Sequence, residues 1–173
     1  MPAVELPVAD VLTPEQRRLN MSRIRGRDTK PEMLIRRGLH ARGFRYRLQD
    51  RTLPARPDLV LPKHRTVILV HGCFWHGHNC SLFRLPATRP AFWAEKILNN
   101  QKRDARSLEA LKDLNWRVLT IWECSLKGPG RLPADRVLDI CAEFLTGSKT
   151  EQQISGFETS TPKDPELEDV NRT

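Results

Sequence analysis

The stretch from Thr66 to Cys80, TVILVHGCFWHGHNC, constrains this chain more than any other. Thr66 to Val70 is a run of β-branched and aliphatic residues with the length and composition of a buried strand. Gly72 ends the run, and a glycine at that point lets the chain turn. The next eight residues hold two cysteines, two histidines and two large aromatics. Cys73, His78 and Cys80 are soft or borderline donors at the spacing C-x4-H-x-C, which suits zinc. A closed site needs a fourth ligand. Cys124 follows a second aliphatic run, Trp116 to Trp122, and two neighbouring strands ending at one edge would bring it to the other three. The competing reading is a set of unrelated buried cysteines. Cys141 lies in an apolar, helix-like pattern and reads as core.

The 173 residues suffice for one domain with a real core plus tails. The formal charge of +8 is unevenly placed. Residues 1–56 carry 13 basic and 6 acidic side chains, residues 57–147 carry 13 and 9, and residues 148–173 carry 3 and 6. The folded part is therefore more basic than the total, which raises its attraction for polyanions, nucleic acid first. A solvated basic surface is the bland alternative. The N-terminus lacks the basic region of a secretory signal, and no apolar run approaches the ~20 residues that span a bilayer. Four cysteines without an export signal favour a reducing compartment and a metal over disulfides.

In chain order, residues 1–12 read as a loose, flexible leader. Thr13-Pro14-Glu15-Gln16 is a capping-box pattern that opens a short polar helix over 13–25, an arm for DNA or a solvated helix. Thr29-x-x-Glu32 opens a second helix with Met33, Leu34, Ile35 and Leu39 on its apolar face and Gly43 at its C-cap. On this evidence Glu32 simply caps the helix. Phe44 to Leu48 alternates like a half-exposed strand, and Asp58 to Leu61 is the next strand. Asp58 thus stands at the entrance of an apolar strand and needs a partner, either a divalent cation or Arg56. From Thr88-Arg89-Pro90 onward the pattern predicts two helices, then a last core strand over Trp116 to Trp122 and a last helix over Pro133 to Leu145. Beyond Gly147 the chain is polar, acidic and rich in Ser, Thr and Pro, so the domain is expected to end at 147 and residues 148–173 to be a disordered acidic tail.

This order of elements predicts an α/β fold with a mixed central sheet flanked by helices. Asp58, His71, His76 and the cysteine stretch would gather at the ends of adjacent strands. That is the layout a metal-dependent phosphodiesterase needs. A carboxylate holds a hard cation such as Mg²⁺, and an imidazole moves the proton of the attacking water.

Five motifs occur in order along the chain: Arg27-Asp28-Thr29, Leu53-Pro54 with Arg56-Pro57-Asp58, and His71-Gly72-Cys73-Phe74-Trp75-His76 with His78-x-Cys80, then Pro86-Ala87-Thr88-Arg89 and Trp116-Arg117-Val118-Leu119 before Trp122-Glu123-Cys124. Together they resemble the very-short-patch-repair (Vsr) DNA mismatch endonucleases. The resemblance runs from about Arg17 to Gly128. It implies a restriction-endonuclease-like fold, a structural Zn²⁺ on Cys73, His78, Cys80 and Cys124, and Mg²⁺-dependent nicking 5′ to the thymine of a T·G mismatch in double-stranded DNA. Asp58 matches the family's metal-binding aspartate, His76 its catalytic histidine, His71 a second active-site histidine, and Glu32 an acidic residue acting near the site. Phe74 and Trp75 match aromatics that wedge into the duplex, and Met21 a wedge from the other groove. On residue type alone, Phe74 and Trp75 read as core. Arg23, Arg25 and Arg27 are expected on the DNA. Val70 replaces the threonine of the family pattern, which is harmless if the position holds Mg²⁺ through its backbone carbonyl. The resemblance further implies a bacterial, cytoplasmic, nucleoid-associated monomer, with repair proteins as further partners. Two other classes stay open: a zinc-stapled DNA-binding module without catalysis, and a nuclease of the same fold with another target.

Overall fold

A computed structural model of the chain describes residues 13–23 and 26–156. Its elements in order are α1 (Pro14–Arg23), α2 (Lys30–Ala41), β1 (Arg47–Leu48), β2 (Leu59–Leu61), β3 (Thr66–His71), α3 (Pro90–Asp113), β4 (Arg117–Trp122), α4 (Ala134–Thr146) and β5 (Glu151–Ile154). The strands form one sheet in the order β1-β2-β3-β4-β5. The first three are antiparallel neighbours, and β3, β4 and β5 run parallel, so the sheet is mixed as expected.

Alternation along the strands sorts the core into two faces. Leu59, Leu61, Ile68, Leu119 and Ile121 pack with Ile35 and Leu39 of α2 and with Val137, Leu138, Phe144 and Leu145 of α4. Val60, Val67, Leu69 and Val118 point the other way and pack with Leu111 of α3. A period of two puts successive side chains on opposite faces, and here both faces are covered. Each fully buried aliphatic side chain contributes about 1.5–3 kcal/mol. The three central strands, with eleven buried positions, are therefore the rigid frame of the molecule. On one face α2 meets α4 closely: a Cβ on Gly38 would lie 2.3 Å from a methyl of Leu138.

Local chemistry sets the helix ends. Thr13 and Gln16 form the reciprocal capping box, with the Thr13 amide donating to Gln16 Oε1 and the Gln16 amide to Thr13 Oγ1. At α2 the Glu32 amide donates to Thr29 Oγ1, but the Glu32 carboxylate reaches back one residue further, to the Asp28 amide. Gly43 takes the left-handed conformation (φ 89°) that closes α2.

Three expectations need correction. The segment after Arg89 forms a single 24-residue helix, α3, because no glycine or proline interrupts it between Ala91 and Asp113. The expected strand from Phe44 shrinks to Arg47–Leu48. The domain does not end at 147, and residues 148–173 are not disordered throughout. Residues 151–154 form β5, the outer strand beside β4. Backbone pairing and one buried side chain, Ile154, suffice for an edge strand, so it carries no apolar run. The leader 1–12 and residues 157–173 lie outside the described residues. Among the described residues no helix is long and apolar enough to cross a membrane.

Candidate active site and metal centre

Asp58 lies immediately before β2, and the antiparallel register Leu59↔Ile68 brings it beside the end of β3. The Val70 amide donates to Asp58 Oδ2 at 2.7 Å. A strand residue points its N–H and C=O to the same side, so the Val70 carbonyl also faces the β2 side. Continuing the register would place Pro57 opposite Val70, and proline has no N–H to offer that carbonyl. Burial pushes the Asp58 carboxyl up to about 6, with the Glu32 charge adding to the rise, while the Val70 amide and Arg36 oppose it. Asp58, Val70, His71, His76 and Glu32 line one polar cavity of about 610 Å³.

His71 ends β3, and His76 follows on the turn begun by Gly72. Their imidazoles stack in parallel, centroids 3.8 Å apart. Asp104 of α3 binds His76 at Nδ1, 2.5 Å from its Oδ2. This fixes the ring and leaves Nε2 as the free nitrogen. Burial, then the neighbouring His76 charge, pushes His71 down to about 3, although Asp104 opposes this. His71 is therefore neutral at ordinary pH. Further along α3, Asn100 donates to the Trp75 carbonyl, and Gln101 donates to the carbonyls of His76 and Gly77. Gly77 is left-handed (φ 61°), and a Cβ there would lie 2.5 Å from Gln101 Nε2, so this turn sits hard against α3.

The second cluster forms where β3 and β4 end together. The parallel register pairs His71 with Trp122, so Cys73 and Cys124 each come two residues past the last pair. The ligand atoms of Cys73, His78, Cys80 and Cys124 all lie within 4.8 Å of one another, a set able to hold a metal ion. Amides point at two of the sulfurs: Cys124 N–H at Cys73 Sγ, and Gly156 N–H at Cys124 Sγ, both 3.3 Å. Burial raises both thiols above the ordinary range, so without a cation they stay protonated. The Trp122 ring stacks on His78 at 4.1 Å and meets His71 edge-on, joining this cluster to the imidazole pair. Cys141 stands apart in α4, its thiol pushed up to about 12 by burial.

Beyond the turn is an aromatic cluster. Phe74 meets Trp75 and Trp93 edge-on at 5.1 and 5.3 Å, and Phe83 and Phe92 extend the group. Lys96 lies over the rings of Trp75, Phe92 and Trp93, and Arg89 lies over Phe92 at 4.5 Å. Phe92 and Leu85 are exposed large apolar side chains.

The profile of the family "DNA mismatch endonuclease Vsr" matches residues 9–82. The chain is 44% identical over 147 residues to DNA mismatch endonuclease Vsr of Escherichia coli, an alignment covering 85% of this chain and 94% of that protein. The chain belongs to the Vsr family. It is also 45% identical over 127 residues to Type II nicking enzyme V.XorIIP of Xanthomonas oryzae pv. oryzae (73% of this chain, 93% of that one). Against Type II nicking enzyme V.NmeAIP of Neisseria meningitidis it is 41% identical over 120 residues (69% and 86%).

In this Vsr-family chain the structure brings Asp58, Val70, His71, His76 and Glu32 to one cavity. Glu32 is buried and fully engaged: Oε1 accepts from Thr29 Oγ1, and Oε2 from the Asp28 amide and Arg36. Its contacts are those of a helix cap and an ion pair, and its charge reaches Asp58 from there. Arg27 is exposed at the rim of the same cavity. The side chains of Met21 and Arg23, and all of Arg25, lie outside what is described. Sequence reading missed Asp104, a lone acid among Lys102, Arg103 and Arg106, and it missed Trp93 and Phe83 as neighbours of Phe74 and Phe92 as a neighbour of Trp93. Their only signal was the polar, basic face of α3 and the two aromatics at its start.

Proposed function

We propose that this chain is a DNA mismatch endonuclease. In this reading it nicks one strand of duplex DNA 5′ to the thymine of a T·G mismatch by Mg²⁺-dependent phosphodiester hydrolysis, the step that starts very short patch repair. The observation that carries the reading is the shared cavity, in which a half-buried carboxylate, Asp58, lies with an imidazole held by a second carboxylate. The names of the relatives, mismatch endonuclease and nicking enzymes, support it. A restriction-endonuclease-like fold is part of the same proposal, and the mixed sheet with helices on both faces agrees with it.

The residues fit a hard cation. Asp58 carries a carboxyl raised to about 6 by burial, a charge that an oxygen-bound cation would stabilise. The Val70 carbonyl offers a second oxygen beside it. Val70 keeps its side chain against the core under α2 and α4, so the loss of a hydroxyl at this position leaves the backbone donor intact. When bound, Mg²⁺ would polarise the phosphodiester and stabilise the leaving oxygen. His76, oriented through Nδ1 by Asp104, receives the proton of the attacking water at Nε2. Asp104 stabilises the imidazolium that forms. Neutral His71 stacks against it without adding a like charge.

Zn²⁺ suits Cys73, His78, Cys80 and Cys124, a three-thiolate, one-imidazole set whose two buried thiols a cation would deprotonate. Its role is structural: it ties the turn that bears His76 to the end of β4. Phe74 and Trp75, with Trp93 behind them, are the apolar wedge for a weakly stacked mismatched step, and Met21 is a second wedge. Arg23, Arg25 and Arg27 contact phosphates. The protein acts as a monomer in the bacterial cytoplasm, beside other repair proteins on the nucleoid.

The test is a strand-nicking assay on matched and mismatched duplexes with and without Mg²⁺. Nicking confined to T·G with Mg²⁺ is expected. Binding without nicking would favour a DNA-binding module, and nicking of a matched site would favour a nuclease with another target.

A further inference from the structure

Part of the lining of the Asp58 cavity is basic. Arg27, Arg51 and Arg56 line it, together with Gln49 and Ala55. All three arginines are exposed, and among the described residues none has an ion pair or a side-chain hydrogen bond. Arg36, by contrast, is tied to Asp28 and Glu32, Arg42 to Asp139 and Arg65 to backbone carbonyls, while Arg37 and Arg84 on other surfaces are exposed like these three. The three at this cavity keep their full hydrogen-bonding capacity for a ligand.

The backbone leading to Asp58 is unusual in a way that bears on these side chains. Ala55 and Arg56 are consecutive non-glycine residues in the left-handed region, with φ of 64° and 48°, and Gln49 shares that conformation at 49°. L-residues avoid it, and such strain clusters where function requires a set orientation. The only backbone hydrogen bond from Arg56 is long, 3.4 Å to the Leu53 carbonyl, so turn formation alone gives little compensation. The strained pair ends at Pro57, which restricts the residue before it, and then delivers Asp58. One short turn therefore presents a guanidinium and a carboxylate to the same cavity, two residues apart and not paired with each other. A guanidinium matches the non-bridging oxygens of a phosphate, and a carboxylate repels them unless a cation lies between.

We propose that Arg27, Arg51 and Arg56 form a phosphate-binding wall of the Asp58 cavity, with Arg56 on a non-bridging oxygen of the phosphodiester being cut and the other two on neighbouring phosphates. This assignment rests on the nuclease reading above and adds the residues that hold the reacting group. A donor placed where charge grows during hydrolysis acts more strongly in the transition state than in the ground state. Removing Arg56 therefore lowers kcat more than it raises KM, whereas removing Arg51 weakens binding.

The test uses full-length protein and a T·G duplex carrying one uncharged methylphosphonate at the scissile position. In an Asp58→Asn background, which stops cutting, this substitution should weaken binding on the order of tenfold relative to the all-phosphate duplex. With Arg56→Asn added, the two duplexes should bind alike. Asparagine tolerates the left-handed conformation, so the fold is kept, and Arg56→Gln repeats the test. Arg56→Asn alone should lower kcat at saturating DNA about 10²-fold with KM changed only a few-fold, and Arg56→Lys should recover part of it. Arg51→Gln should reduce the slope of log affinity against log salt by about one phosphate's worth. A methylphosphonate penalty that persists in both Arg56 variants overturns the proposal, as does Arg56→Asn nicking at the native rate. If the native protein nicks no duplex at all, it is the nuclease reading that fails.

Discussion

Asp58 carries the clearest energetic signature in the molecule. Its carboxyl, raised to about 6 from an ordinary 3.8, is favoured protonated by the fold. The associated stability is fully present below about pH 4 and is lost as pH rises through about 6. Two pK steps correspond to roughly 3 kcal/mol at most. In chelator, Asp58→Asn should therefore raise the melting temperature above pH 7 and have no such effect near pH 4. Mg²⁺ should raise the melting temperature of the native protein at pH 7.5 but not that of the variant. Thermal scans at the two pH values, with and without Mg²⁺, check both. His76 is the second residue on which the chemistry turns. His76→Ala should lower the nicking rate on the order of 10²–10⁴-fold if it takes the proton. Asp104→Asn, which keeps the ring nearby but removes the charge that stabilises the imidazolium, should lower the rate less. Asp58 could be singled out in the sequence because a carboxylate at the mouth of an apolar strand demands a partner. Asp104 could not: it lies 28 residues from His76 on a charged helix face, and only the packing of α3 against the turn joins them.

At the scale of elements, β2, β3 and β4 were legible because their buried runs are short, apolar and β-branched. The cluster of Cys73, His78, Cys80 and Cys124 was legible because parallel strands of matched length end together. The strand β5 was not. It lies in a polar, acidic stretch, buries only Ile154 and is held by backbone pairing and by the ion pair of Glu151 with Lys112. Yet it adds to the Cys/His cluster, since the chain just after it brings the Gly156 amide to Cys124 Sγ. A Cβ on Gly156 would lie 2.4 Å from the Cys124 carbonyl oxygen and 2.6 Å from that of Gly130. Gly156→Val, or truncation before β5, should therefore speed loss of bound zinc to a chromogenic chelator. Cys124→Ala should lose the metal outright and much stability with it, because structural zinc contributes directly to folding. A native zinc off-rate in the truncated chain would separate β5 from the metal centre. The single long α3 was likewise hidden. Its apolar period is weak because only Ile97 and Leu111 are buried along 24 residues.

Over the whole molecule, two structural halves meet at the ends of the central strands. The face under α2 and α4 is a continuous apolar core that fixes the sheet. The face under α3 is thinner, and α3 spends its polar side chains on the turn that bears His76. Arg27, Arg51 and Arg56 line the Asp58 cavity, and the aromatic cluster lies beyond the turn that bears His76. DNA binding by such a surface is governed by phosphate neutralisation. Log affinity should fall linearly with log salt, with a slope near −0.9 per phosphate contacted, and a flat dependence would remove the case for DNA as partner. The composition already pointed to a polyanion. The gathering of Asp58, His71 and His76 was expected from the order of the strands, whereas the place of Arg51 and Arg56 in the same cavity required the folded structure.

The central claim is that Asp58 is the carboxylate on which Mg²⁺-dependent cleavage depends. The most direct measurement is single-turnover nicking of a T·G duplex by native protein and by Asp58→Asn, at equal DNA occupancy and with Mg²⁺ present. The account predicts a nick 5′ to the mismatched thymine by the native protein and none by the variant, with mismatch binding largely preserved. Nicking by Asp58→Asn at the native rate would contradict it.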